Sequence, residues 1–357
     1  MTPSDLTFRE AVDQLAALPT ERRESIDRAA ILIRTVVAGG LQSAIPVLLP
    51  LLVAPVGIAR QAEGALELLS VGARPDAWLS LDAHVRSDGW TRYWTDEGRA
   101  LVMFAQRWSG LDADRAARLA AASSSPRLVD AMLSMHRDGR VREGAIERLA
   151  DASDPVALPF LLVRCVDWVG PVRHGATRVV ERWLERSPDG LVEMLPLLER
   201  LLAFRRADAS SPVAKALARL TTDPEALVTR SLASRDPRVR ARALALLAES
   251  GLVTPERAVA FLGDRDSTVQ ARAAMLVEAL WTDPLGETAG ALAARMVRAR
   301  TARVRAVGLR MSIRALGPAA RPRSRRAGRS TAPPRASRRG PGPWSRDLPG
   351  TRPPAPA

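Results

Sequence analysis

The sequence predicts an all-α solenoid, a stack of short helical pairs, followed by a disordered C-terminal tail. Three observations carry this. A Val-Arg-x-x-Ala skeleton recurs along the C-terminal two-thirds at intervals of about 30–40 residues, the period of helical repeat architectures. Between its copies lie further apolar segments whose large residues recur at three and four, the helical period. Beyond Gly317 the composition turns abruptly to Arg, Pro, Ala, Gly and Ser.

The N-terminal part, residues 1–125, reads as degenerate helical repeats. Leu6, Phe8, Val12, Leu15 and Leu18 lie close to helical spacing, which predicts a first amphipathic helix over 4–17 with Ser4 as its cap. A second helix runs from Thr20 to Ala38 and stops at Gly39-Gly40. Ala44–Leu52, A-I-P-V-L-L-P-L-L, and Val56–Leu69 form the next pair, with Ile58 and Ala62 as a poor anchor. The apolar run Ala44–Ala59 is shorter than the ~20 residues a membrane span needs. Pro46, Pro50 and Pro55 interrupt it, so it is expected to be a buried helix. Met1–Glu10 has neither a basic nor an apolar leader region, and the cytoplasm is the default compartment.

Residues 75–108 break the pattern. Trp78, Trp90, Tyr93, Trp94 and Trp108 gather half of the eight Trp and the only Tyr. Two readings stay open: aromatic packing where the repeat is irregular, or a groove for a peptide or a base, since such side chains anchor binding sites. The site candidates in that case are Trp90, Tyr93, Trp94 and Trp108.

From 126 to 317 the repeats become regular. The clearest copy is Ser234–Leu247, S-R-D-P-R-V-R-A-R-A-L-A-L-L, with Val239, Arg240 and Ala243 as its skeleton. Val141, Val172, Val269 and Val304 anchor the others, and Val213 a weaker one. Residues at i and i+4 share one helix face, and a small residue at the second position lets two helices approach. Pro155, Pro224 and Pro255 open the first segments, and Pro171, Pro212 and Pro237 the anchor segments. These are positions where a missing N–H costs nothing. Each unit therefore reads helix, turn, helix, and a lone pair of this kind must stack on neighbours to bury both faces.

The quoted residues Asp236–Ala243 (D-P-R-V-R-A-R-A), Asp266–Ala273 (D-S-T-V-Q-A-R-A) and Gly170–Ala176 (G-P-V-R-H-G-A) resemble the HEAT-repeat family, including its short bacterial repeats of the phycobilin-lyase type. The resemblance implies a right-handed α-α superhelix. It also implies a polar ladder between stacked units, made by an Asp five residues before the Val and an Arg just after it. Asp167 and Arg173 match both positions. Asp208 and Asp264 match the Asp, with Ala214 and Gln270 in place of the Arg. Arg240 matches the Arg, with Ser234 in place of the Asp. The resemblance further implies that the second helices line the concave side. That makes Arg142, Arg173, His174, Arg240, Arg242 and Arg305 the candidate binding residues. Such a row would grip phosphates, unless neighbouring carboxylates already neutralise it.

The net charge of +14 is uneven, for residues 321–357 hold ten Arg against Asp347. Residues 318–357 contain ten Pro and, apart from Trp344 and Leu348, almost nothing to bury, so they cannot form a core. A basic nucleic-acid-binding tail, an inert tail and a frameshifted stretch all fit this composition. Cys165 stands alone with His84, His136 and His174, which excludes an intrachain disulfide and offers no metal-ligand cluster. No phosphate-binding loop, H-E-x-x-H or G-x-S-x-G occurs. Paired carboxylates such as Asp264 and Asp266 sit in turns, where helix capping explains them.

No catalytic residue, metal or cofactor is expected. The sequence points to a non-catalytic scaffold that binds a protein partner, with no membrane partner. A nucleic-acid-binding array is the alternative. A HEAT-like DNA glycosylase built on Asp167, Trp168, Arg173 and Trp183 is a distant third, and a bilin lyase rests on the shared repeat alone.

Overall fold

The computed structural model describes residues 7–18, 23–87, 99–150, 155–186, 188–204, 206–207, 211–281 and 287–315. The chain divides at Ala315, and all described residues belong to the first unit, Met1–Ala315. The tail 318–357, Trp90, Tyr93, Trp94 and Asp208 lie outside the described residues. Among those described, the structure is helical throughout, with no strand.

Four helices open the chain: α1 (Phe8–Ala17), α2 (Arg23–Ala38), α3 (Leu41–Leu51) and α4 (Val56–Gly72). α1 starts at Thr7, later than the sequence suggests. Thr7 and Glu10 exchange side-chain-to-backbone hydrogen bonds and close a capping box there. α3 keeps both Pro46 and Pro50 inside the helix and is buried from Ala44 to Leu51. Gly40 just before it adopts φ +83°, which a side chain would resist. No described helix is long and apolar enough to cross a membrane.

α5 (Pro75–Arg86), α6 (Arg99–Ser109) and α7 (Ala113–Ala122) follow. α6 packs on α1 and α3. Trp108 on α6 is 1% exposed, so this aromatic candidate is a core residue rather than part of a surface groove.

Six helical pairs then succeed one another. They are α8 (Pro126–Leu133) with α9 (Gly139–Arg148), α10 (Leu158–Arg164) with α11 (Gly170–Arg186), and α12 (Leu195–Leu202) with α13 (Pro212–Thr221). Next come α14 (Pro224–Ala233) with α15 (Pro237–Glu249), α16 (Pro255–Ala260) with α17 (Ser267–Leu280), and α18 (Glu287–Val297) with α19 (Ala302–Ala315). A 3-10 stretch, Pro188–Met194, leads into α12, and another, Phe261–Gly263, follows α16. The members of each pair pack together, and second helices touch across pairs: α9 on α11, α11 on α13, α15 on α17 and α17 on α19.

The turns are held by caps the sequence supplies. Asp138, Ser211, Asp223, Asp236, Thr254 and Asp266 each accept a backbone N–H at a helix start. The skeleton residues do what their spacing requires. Val141, Val172, Val239 and Val269 are buried, as are Ala145, Ala176, Ala243 and Ala273 at the small position. In α19 that position is Gly308. A Cβ there would meet the Val297 nitrogen at 2.7 Å and the Ala293 oxygen at 2.9 Å, so α18 and α19 touch backbone to backbone.

α5 departs from the pairwise scheme. It lies on α3, α10 and α12 together. Trp78, Leu81 and Val85 are buried, and the Trp78 ring centre is 4.6 Å from that of Phe160 on α10. Burying Trp, Leu and Val contributes about 1.5–3 kcal/mol per side chain, so α5 joins the N-terminal helices to the regular pairs.

Candidate interaction surface

The anchor Val leaves the next residue pointing at the turn before its own helix. There the candidate arginines meet backbone and carboxylate. Arg142 Nη1 donates to the carbonyls of His136 and Arg137 at 2.8 and 2.9 Å. Its Nε and Nη2 donate, both at 3.1 Å, to the two carboxylate oxygens of Asp167 in the following pair. Arg240 repeats the arrangement. Nη1 donates to the Ser234 carbonyl at 2.8 Å, and Nε and Nη2 reach the Asp264 carboxylate at 2.6 and 2.9 Å. Two-pronged contacts of this kind are the strong form of an ion pair.

Arg142 is fully buried and Arg240 nearly so. As candidates for an exposed binding row both are therefore corrected: they hold one pair to the next and present no charge to a ligand. Arg173 donates to the Asp167 carbonyl, and Gln270 to the Asp264 carbonyl. Thr301 of the last pair donates to Gln270. The mismatches at Ser234 and Gln270 thus resolve across units, Arg240 of one meeting Asp264 of the next.

The position five residues before Val141, Val172, Val239 and Val269 has one task with changing chemistry. Asp167, Ser234 and Asp264 each accept the backbone N–H two residues on, at 2.9, 3.2 and 2.8 Å. His136 does the same through Nδ1, accepting from Asp138 at 3.1 Å. The acceptor role of Nδ1 places the ring proton on Nε2, which donates to the Trp108 carbonyl at 2.8 Å. Burial lowers the His136 pKa from its ordinary value.

Behind this ladder lies a charge cluster that the sequence reading did not single out. Arg164 sits between Asp82 and Asp167, 2.8 Å from the latter, and Arg86 pairs with Asp82 at 2.6 Å. Asp82, Arg142, Arg164 and Asp167 are all buried. Burial works to raise the Asp167 pKa, but Arg164, the Val169 N–H and Arg142 outweigh it and hold the carboxyl below its ordinary range. Nearer the surface, Asp76 of α5 receives Arg238 Nη1 and Nη2 at 2.9 and 3.0 Å, and its carbonyl accepts from Arg200 at 2.8 Å. Nothing local in 75–86 announces these partners, which lie far away in sequence.

The remaining candidates divide. Arg242 pairs with Glu249 at 2.7 Å and lies 3.7 Å from Glu199. Arg305 is exposed and donates to the carbonyls of Ala299 and Arg300. His174 is exposed. Other surface cations reach back to the preceding pair, as Lys215 does to Glu181 and Arg310 to Glu278. Between α9 and α11 a shallow groove of about 530 Å³ is floored by Ile146 and Val179 and rimmed by Glu147, Arg178, Glu181 and Glu185. Cys165 is buried, with its pKa pushed up to about 12 by desolvation, so the thiol is inert. No cluster of metal-ligating side chains occurs among the described residues.

No family model, no curated protein and no solved structure matches this chain.

Proposed function

We propose that the chain is a non-catalytic scaffold of the HEAT-repeat kind, its helical pairs forming a right-handed α-α superhelix that presents its second helices to a protein partner. One observation carries the reading. Five cations of the second helices are spent on the protein itself: Arg142 on Asp167, Arg240 on Asp264, Arg242 on Glu249, Lys215 on Glu181 and Arg310 on Glu278. Where cations are neutralised in this way the surface is a poor track for phosphates, whose binding depends on cations free to displace counterions. It is suited to a partner with mixed charge.

The glycosylase arrangement finds less support. Trp168 is 64% exposed, but Asp167 beside it has both oxygens engaged, and Trp183 is buried. A carboxylate fixed by two arginines is a weak base for activating water.

The test is binding to duplex DNA at about 50 and about 200 mM salt, comparing the full chain with residues 1–317. The scaffold reading expects no salt-sensitive binding by the truncated chain. Tight, salt-sensitive binding that survives truncation overturns it in favour of the nucleic-acid reading.

A further inference from the structure

The last described helical pair exposes an apolar stripe whose two central positions are buried in the pair before it. α19 turns Val304, Val307, Gly308 and Met311 inward, and packs on α17 and α18. On the opposite side Ala302, Ala306, Leu309 and Ile313 recur at four, three and four residues, which places them in one stripe. All four are exposed, Leu309 at 51% and Ile313 at 64%. In α17 the equivalents of Ala306 and Leu309 are Ala271 and Ala274, and both are buried. In α15 the equivalent of Leu309 is Leu244, also buried. The following pair is at hand in each case, since α17 packs on α15 and α19 on α17. By register, then, the covering that this face takes is a helix.

Charge narrows the kind of helix. Glu287–Ala315 contains seven Arg and one acidic residue. Arg305 borders the stripe on one side, and Arg303 and Arg310 border it on the other. Arg310 and Arg314 already share Glu278. Arg303 and Arg305 have no carboxylate partner among the described residues. The molecule also contains one worked case of such an arrangement. α5 is an amphipathic helix whose Asp76 and Asp82 meet Arg238 and Arg164 while Trp78, Leu81 and Val85 are buried.

We propose that the open face of α19 docks an acidic amphipathic helix of a partner protein, with its apolar side on Leu309 and Ile313 and its carboxylates toward Arg303 and Arg305. The proposal rests on the protein-binding reading above and gives that reading a location and a chemistry. A nucleic acid would use the arginines but gain little from the apolar stripe, which decides for a helix.

The probe is a fluorescently labelled synthetic helix with Leu at the spacing of the stripe and Glu beside it. Its counterpart carries Lys for every Glu. Anisotropy titrations use the full chain, its Leu309→Glu/Ile313→Glu variant and its Arg303→Glu/Arg305→Glu variant, with circular dichroism confirming that the exposed substitutions leave the helices intact. The acidic peptide is expected to bind the unaltered chain and to lose at least about tenfold in affinity with either variant. The Arg303→Glu/Arg305→Glu chain is expected to gain affinity for the Lys peptide. Failure of the acidic peptide to bind, equal binding of the Lys peptide to the unaltered chain, or indifference to both variants overturns the α19 site and leaves the scaffold reading standing. Duplex DNA binding that is lost in the arginine variant and kept in the Leu309→Glu/Ile313→Glu variant overturns both.

Discussion

Removing the Asp167 carboxylate should be among the most costly single changes in the protein. Asp167→Ala deletes the acceptor of two Arg142 hydrogen bonds at 3.1 Å, one from Arg164 at 2.8 Å and one from the Val169 N–H at 2.9 Å. Arg164 keeps Asp82 as its counter-charge. Arg142, fully buried, keeps two carbonyls and the Trp168 ring 5.9 Å away but no counter-charge. A buried cation stranded in this way costs about 3–5 kcal/mol. Replacing Arg142 by Met in the same chain removes the stranded charge. The double variant should then cost only about 1–3 kcal/mol, the penalty of an unpaired Val169 N–H. The assay is urea unfolding at neutral pH followed by circular dichroism, analysed as a double-mutant cycle. A control, Glu181→Ala, removes the half-exposed pair with Lys215 and should cost less than about 1 kcal/mol. If Asp167→Ala costs no more than this control, or if the two changes add, the buried cluster is not coupled as its geometry implies.

Further expectations follow from the same geometry. Because burial lowers the His136 pKa, the unfolded chain takes up a proton there more readily than the folded chain. Stability from this residue is therefore complete above the unfolded value and is lost as pH falls below about 6.5 toward the folded value. Stability measured at about pH 7 and about 5.5 should fall in the native chain and fall less in His136→Gln. Gly308→Ala should destabilise the last pair by about 1–3 kcal/mol through overpacking, despite the higher helix propensity of Ala. Faster amide exchange confined to α18 and α19 would report it, and unchanged exchange would contradict the close approach. Cys165 should resist thiol reagents until the chain unfolds, so labelling at the rate of a free thiol under native conditions would refute its burial.

The skeleton was legible because it obeys a local rule. Val239 and Ala243 are one helical turn apart, and their burial follows from that spacing alone. The caps were legible for the same reason, with Asp266 read as a cap rather than an acid. The ladder was half legible. Single units looked defective, with Ser234 lacking an Asp and Gln270 lacking an Arg, because each unit was matched against itself. The structure pairs Arg240 with Asp264 across units, and that register appears only once the pairs are laid side by side. The role of His136 escaped notice because it depends on the acceptor position of one ring nitrogen, which composition does not signal. Asp82 and Arg164 escaped because an ion pair between distant helices leaves no period in the sequence. Arg142 and Arg240 were candidates for a surface because the resemblance places the second helices on the concave side, and the counter-charge that buries each lies 24 or 25 residues away.

α5 has a consequence for how the molecule comes apart. Helical pairs that touch only their neighbours can unravel from an end, one pair at a time. Asp76 is bonded to Arg238 across 162 residues of chain, and Asp82 to Arg164 within that span. The pairs α10–α11, α12–α13 and α14–α15 thereby fall within a single loop, and none of these can open alone without breaking a contact made by α5. The stretch from α5 to α15 should melt as one cooperative block, whereas α16 to α19 lie outside the loop and are free to fray. The same closure makes α5 a late partner in folding, since its contacts join residues that only the finished pairs bring together.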